Sequence, residues 1–192
     1  MPPKVKITRE DVINTALDII RKYGEGALNA RNIAAALNCS TQPVFSNFAN
    51  MDELFDEAVK AAYELYISFL HDEACKGEYP KYKSFGMAYI KFAKEEKQLF
   101  KILFMCDRRG ASLTSTSDFD ESVQMIMDAN GVTKETAQLM HLEMWTCVHG
   151  IATMLATSFL ELDRELISNM ISDIYHGIRI RHLEGGLANE RH

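Results

Sequence analysis

Two short stretches of helical periodicity, residues 30–37 and 41–48, are separated by only three residues, Asn38-Cys39-Ser40. A longer amphipathic stretch precedes them. Two short helices on a tight turn, set against a longer third, read as a helix-turn-helix. Such a turn needs one residue at positive φ, a place usually taken by glycine. Asn38 stands there, and asparagine tolerates the left-handed region better than other side-chain-bearing residues. Cys39 follows as a small apolar plug beneath the turn.

The flanking sequence carries the start and stop signals that such a reading requires. Thr8 caps a first helix, with Asp11 three residues on as a short capping box, and Gly24 stands at its far end. Val12, Ile13, Ala16, Leu17 and Ile20 form its apolar stripe. Asn29 caps the second helix, which buries Ile33, Ala34 and Leu37. Ser40 is the expected cap of the third, Thr41 to Phe48. Asn50-x-x-Glu53 starts a long helix through about His71. Helical patterns continue over 82–95, 97–105 and 119–129, with a polar loop over 107–118. Two long helices follow, over 133–160 and 163–182, with a frayed tail after 184. The expectation is an all-α fold of about nine helices, with a head over 1–50 and a body over 51–192.

The third helix divides by face. Val44 and Phe48, with Phe45 in part, point inward, leaving Thr41, Gln42, Pro43, Ser46 and Asn47 outward. That outward set suits a major groove: glutamine can bond an adenine edge at two points, and proline can press on a thymine methyl. Lys4, Lys6 and Arg9 lie before and at the start of the first helix, where a short basic arm could reach phosphate or the minor groove. Residues 1–50 hold six Lys and Arg against four acids, a net +2, while 51–192 carry a net −8. A basic head on an acidic body fits a nucleic-acid reader with a separate partner domain. The alternative reading is a plain helical subdomain with a polar face.

The opening Thr8-Arg9-Glu10, Gly24, Arg31-x-Ile33-Ala34, Ser40, the Phe45-x-x-Phe48 pair and Asp52-x-Leu54 resemble the N-terminal domain of the TetR family of regulators. The likeness spans residues 8–59, about a quarter of the chain. It implies a DNA-binding head in which Arg31, Ser40 and Phe45 join the residues above. It also implies a body that binds a small effector and dimerises through its last two long helices. Trp145-x-x-x-His149-Gly150 is similar to a signature of the subgroup named for Trp-His-Gly. Three positions depart from the family's habit: Phe45, Asn47 and Met51 stand where many members have Tyr, His and Lys. Loss of the Tyr hydroxyl and the Lys ammonium implies a lighter grip on phosphate and a flatter salt dependence.

Within the body, the two last long helices are apolar on wide faces, as a two-fold four-helix contact would require. His141, Trp145 and His149 recur at i, i+4, i+8 on one face. Tyr89, Phe104 and Met125 are the residues expected to stand with them around an effector, beside Phe92, Phe100 and Met105. Eight of the ten methionines lie between Met87 and Met170, which suits an adaptable apolar cavity as well as a core. A metal site is excluded there, because His141 and His149 are about 12 Å apart along the axis. No CxxC pairs the four cysteines, no oxyanion loop accompanies Cys106 or Cys147, and no cofactor motif appears. The expectation is a non-enzymatic, cytoplasmic homodimer, a repressor with a duplex operator and a small-molecule effector. No signal segment opens the chain, and 151–160 is too short to span a membrane. The rival expectation is an effector- or protein-binding helical dimer that no longer reads DNA.

Overall fold

A computed structural model describes residues 7–106 and 117–183. Lys4, Lys6, the 107–116 portion of the expected loop and the tail after 183 lie outside the described residues. Among those described there are nine α-helices and no strand: α1 (Arg9–Tyr23), α2 (Ala30–Ala36), α3 (Gln42–Asn47), α4 (Met51–Cys75), α5 (Lys81–Glu95), α6 (Lys97–Phe104), α7 (Ser117–Asn130), α8 (Lys134–Ala156) and α9 (Arg164–Leu183). The all-α expectation holds. One turn of 3₁₀-helix, Glu25–Ala27, joins α1 to α2.

The chain divides into two compact units. One takes the described residues up to Ser68 together with Glu95–Cys106; the other takes Phe69–Lys94 and the described residues beyond 107. The first unit is built on α1. The Thr8 hydroxyl accepts from the Asp11 backbone N–H, and the Asp11 carboxylate accepts from the Thr8 N–H, a complete capping box. At the other end Gly24 has φ +83°, which a side chain would strain. Val12, Ala16 and Ile20 of α1, Ile33 of α2, Val44 and Phe48, Leu54 of α4, and Leu99 and Phe100 of α6 are all buried. An ion pair at 2.7 Å between Arg21 and Glu96 accompanies the packing of α6 on α1.

The turn between α2 and α3 follows the sequence expectation. Asn38 has φ +51°, and the Cys39 N–H returns to the Ala34 carbonyl at 2.9 Å. Several details differ. Leu37 is only half-buried, because α2 ends at Ala36 and the chain turns away. Ser40 does not cap α3: the helix begins at Gln42, Thr41 is its cap residue, and no side chain bonds its first N–H groups. Pro43, in the first turn, removes one donor that would otherwise need a partner. The Asn50 side chain accepts from the Glu53 N–H as expected, but the Glu53 carboxylate reaches back to the N–H of Ala49 at 2.6 Å. The helix so launched runs one turn further than expected, to Cys75.

In the second unit α7 and α9 pack on α8. Val123, Ile126, Ala137 and Met140 form a buried cluster, flanked by Tyr82, Phe119, Met127, Val132, Tyr175 and Ile178. α5 comes close to α8 and α9 at Gly86, where an added Cβ would meet Val148 at 3.6 Å and Ile171 at 3.8 Å. Glu73, only 3% exposed, receives Lys76 and Arg164 at 2.5 Å each and Lys91 at 3.7 Å. Burial alone would raise its pKa. The Lys76 hydrogen bond and the three cations outweigh that and hold the carboxyl below its ordinary value. α8 stops at Ala156, four residues earlier than the sequence suggested. Ser158 turns left-handed at φ +58° and the Phe159 N–H closes on the Met154 carbonyl at 2.9 Å, an αL ending made without glycine.

Candidate functional site

α3 is held from beneath by two side chains one turn apart. Val44 is 1% exposed and Phe48 2%, and they share a face because 3.6 residues complete a turn. The remaining positions face away. Gln42, Phe45 and Ser46 are exposed; Thr41, Pro43 and Asn47 are half-buried. Phe45 corrects the expectation of a ring turned partly inward, for it stands 53% exposed. Residue 45 lies about 100° round the helix from Val44, which carries it off the buried face. Its ring borders a shallow, open depression that Asn29, Ala30, Arg31, Asn32 and Thr41 complete. Ser40 is exposed beside it.

Local bonds already engage part of this face. The Ser46 hydroxyl donates to the Gln42 carbonyl at 2.8 Å, and the Asn47 amide donates to the Pro43 carbonyl at 2.8 Å. Asn29 caps α2 through the Asn32 N–H at 2.9 Å, and the Asn32 amide closes on the Ala27 carbonyl. Arg9 is not a loose arm. Its guanidinium meets the Asn47 carbonyl and Glu53 and lies over the Phe48 ring at 4.1 Å.

The residues expected at an effector fall into separate groups. Tyr89, 4% exposed, bonds through its hydroxyl to His149 Nδ1 at 2.8 Å, and the Trp145 and His149 rings stack at 4.9 Å and 14°. The structure thus brings Tyr89, Trp145 and His149 together. His141 instead meets Tyr82, hydroxyl to Nδ1 at 2.9 Å, with the Phe119 ring edge-on at 4.9 Å. Met125 is half-buried on α7. Phe104 belongs to the first unit, packed edge-on against Tyr66 at 5.1 Å and beside Phe100.

Two residues missed by the sequence reading extend this picture. Tyr82 and Tyr89 stand seven residues apart on α5, close to the eight-residue spacing of His141 and His149, and that match was visible in the sequence. Thr153 continues the i+4 series 141, 145, 149 on α8, and its buried hydroxyl has no hydrogen-bond partner among the described residues. Burial depresses both imidazoles, His141 to about 4 and His149 in the same direction, and raises Tyr82. The side chains here are uncharged hydrogen-bonding groups at neutral pH. Among the described residues no cluster of His, Cys, Asp or Glu could hold a metal ion, and no helix is long and apolar enough to cross a membrane.

No family model matches the sequence, and no curated protein matches it. Solved structures do. A protein of unknown function from Rhodococcus sp. RHA1 is 17% identical with a TM-score of 0.73, covering 92% of this chain and 98% of its own. A TetR-like transcriptional regulator from the same organism is 17% identical with a TM-score of 0.66, covering 99% and 100%. A TetR-family transcriptional regulator from Streptomyces coelicolor is 17% identical with a TM-score of 0.66, covering 95% and 89%. The chain therefore shares the fold of these TetR-like structures, and the narrower likeness to the Trp-His-Gly subgroup rests on the sequence alone.

Proposed function

We propose that this chain is a one-component transcriptional regulator, a cytoplasmic repressor that binds a pseudo-palindromic operator as a homodimer under control of a small, largely apolar ligand. The observation that carries the reading is α3 itself. It is anchored by Val44 and Phe48 and presents Thr41, Gln42, Pro43, Phe45 and Ser46 outward, in a fold shared with TetR-like regulators. Arg31 and Ser40, exposed at its flank, and the basic Lys4 and Lys6 supply phosphate contacts; Asn47 lies at its far end. Gln42 is the base reader, because its exposed amide can donate and accept at one adenine edge.

The effector side is supported by neutral chemistry. Tyr89, His141, Trp145 and His149 offer rings and uncharged polar atoms, and the unpartnered Thr153 hydroxyl offers one more. Side chains of this kind favour an uncharged, mostly apolar molecule. Met125, in the same unit, is kept as a further contact. The ligand acts by preferring one setting of α4, whose residues belong to both units, and without that preference it shifts nothing. The partner copy sits on α8 and α9, where Leu139, Leu142, Met154, Leu166, Ile180 and Leu183 are exposed apolar side chains. The expected result for Leu142→Glu is a halved mass in sedimentation equilibrium; a wild-type chain that is monomeric at micromolar concentration removes the dimer from the reading.

The direct test is selection of duplexes from a random pool by the full chain at low salt. An enriched half-site repeated about one helical turn away is expected. Gln42→Ala should then flatten the preference at one base pair by about tenfold, the worth of one bidentate base contact. Failure of the wild type to enrich any sequence would favour the second reading, an effector- or protein-binding dimer. Specific observations support that alternative: Ser46 and Asn47 already bond their own helix, and Phe45 and Met51 lack the phosphate-binding groups common at those positions.

A further inference from the structure

We infer that Arg9 is a positioning residue that clamps the recognition helix to the start of α4, and not a phosphate contact. The inference deepens the reading of α3 as the DNA reader. Arg9 opens α1, yet its side chain works on residues about forty positions away. Nη1 donates to the carbonyl of Asn47, the last residue of α3, at 2.5 Å. That carbonyl is among the last four of a helix, which have no partner within it. Nη2 donates to Glu53 in the first turn of α4 at 2.9 Å, with Glu57 one turn on at 3.9 Å. The guanidinium plane covers Phe48, the connecting residue that anchors α3 in the core.

Glu53 closes the circuit. Its second oxygen accepts from the Ala49 N–H at 2.6 Å, so one carboxylate ties both Arg9 and the α3–α4 connection. Asn47 before the connection, Phe48 and Ala49 within it and Glu53 after it thus meet one guanidinium or the carboxylate paired with it. A planar fork of donors is needed to meet a carbonyl, a carboxylate and a ring face together, which a lysine ammonium cannot do. Two acids beside Arg9 also cancel the field that would draw a phosphate toward it. Each pair is half exposed and weak alone. Their joint effect is on the setting of α3, since the same contacts orient the helix that carries Gln42.

The test uses Arg9→Lys, Arg9→Gln and Glu53→Gln in the full chain. Hydrogen exchange at residues 44–50 reads the clamp without DNA. It should accelerate about tenfold in all three variants while α9 is unchanged, the loss of a charge-assisted bond network. Unchanged exchange over 44–50 overturns the inference, whatever the chain binds. On duplexes selected by the wild type, Arg9→Lys should lose affinity nearly as Arg9→Gln does, with the salt slope kept in both. A phosphate contact predicts the opposite: Arg9→Lys close to wild type, and a slope shallower by about one in Arg9→Gln. Glu53→Gln decides independently. Removing an acid near DNA should tighten binding, whereas removing half of a clamp should weaken it. If the wild type selects no duplex, the regulator reading falls and the exchange result alone decides the clamp.

Discussion

Phe48→Ala is expected to destabilise the first unit by about 3–5 kcal/mol, the usual cost of deleting a fully buried aromatic ring. Phe48 is 2% exposed, and it is the residue at which the chain leaves α3. Two losses coincide there. The cavity opens beneath a helix of only six residues, which has too few internal hydrogen bonds to persist undocked. The Arg9 guanidinium also loses the ring face on which it lies. Urea unfolding followed by circular dichroism is the measurement, and affinity for any duplex the wild type selects should vanish before global unfolding is complete. A loss under about 1 kcal/mol would mean that the connection collapses into the space, and that α3 docks through Val44 alone.

Acid should weaken the second unit through His141. Burial holds its pKa at about 4, below the ordinary 6.5. Between those values the unfolded chain binds a proton that the folded chain refuses. Stability is therefore whole above about pH 6.5 and is lost as pH falls toward 4, by up to about 3 kcal/mol in all. His149, shifted the same way, adds to the same limb. Burial keeps the Tyr82 phenol protonated, and its hydroxyl shares a hydrogen bond with His141 Nδ1 at 2.9 Å. His141→Gln keeps a polar neighbour for Tyr82 and removes the titration. Denaturation at pH 7 and at pH 5 should differ clearly in the wild type and much less in this variant. Equal pH dependence in both would assign the acid limb elsewhere.

What the sequence made legible follows the range of the forces involved. Caps act over three residues, so Thr8, Asn29 and Asn50 could be found by inspection. Asn38 was legible because a three-residue turn leaves one place for a positive φ. The helix count followed from periodicity. Pairings across the chain were not legible. Arg9 reads as a basic arm until Asn47 and Glu53 are seen beside it, 38 and 44 residues away. The two tyrosine–histidine bonds join α5 to α8 across 59 and 60 residues, and only their matched spacing hinted at them. The end of α8 was misplaced because Ser158 adopts a conformation for which serine carries no signal. Phe45 was misjudged because an aromatic ring argues for burial, while helix geometry turned it outward.

The first unit is discontinuous along the chain, with α6 returning to α1 after α5 has been laid into the other unit. A head grafted from residues 1–50 onto another body would leave behind Leu99 and Phe100, both fully buried, and Glu96, the partner of Arg21. During synthesis the ribosome releases the N-terminal helices well before the segment that completes their core. Native packing of the head thus waits on some fifty further residues of translation, even though domains otherwise tend to fold in order of emergence. A chimaera that preserves the head must carry α6 with it, or supply two apolar side chains and a carboxylate in its place.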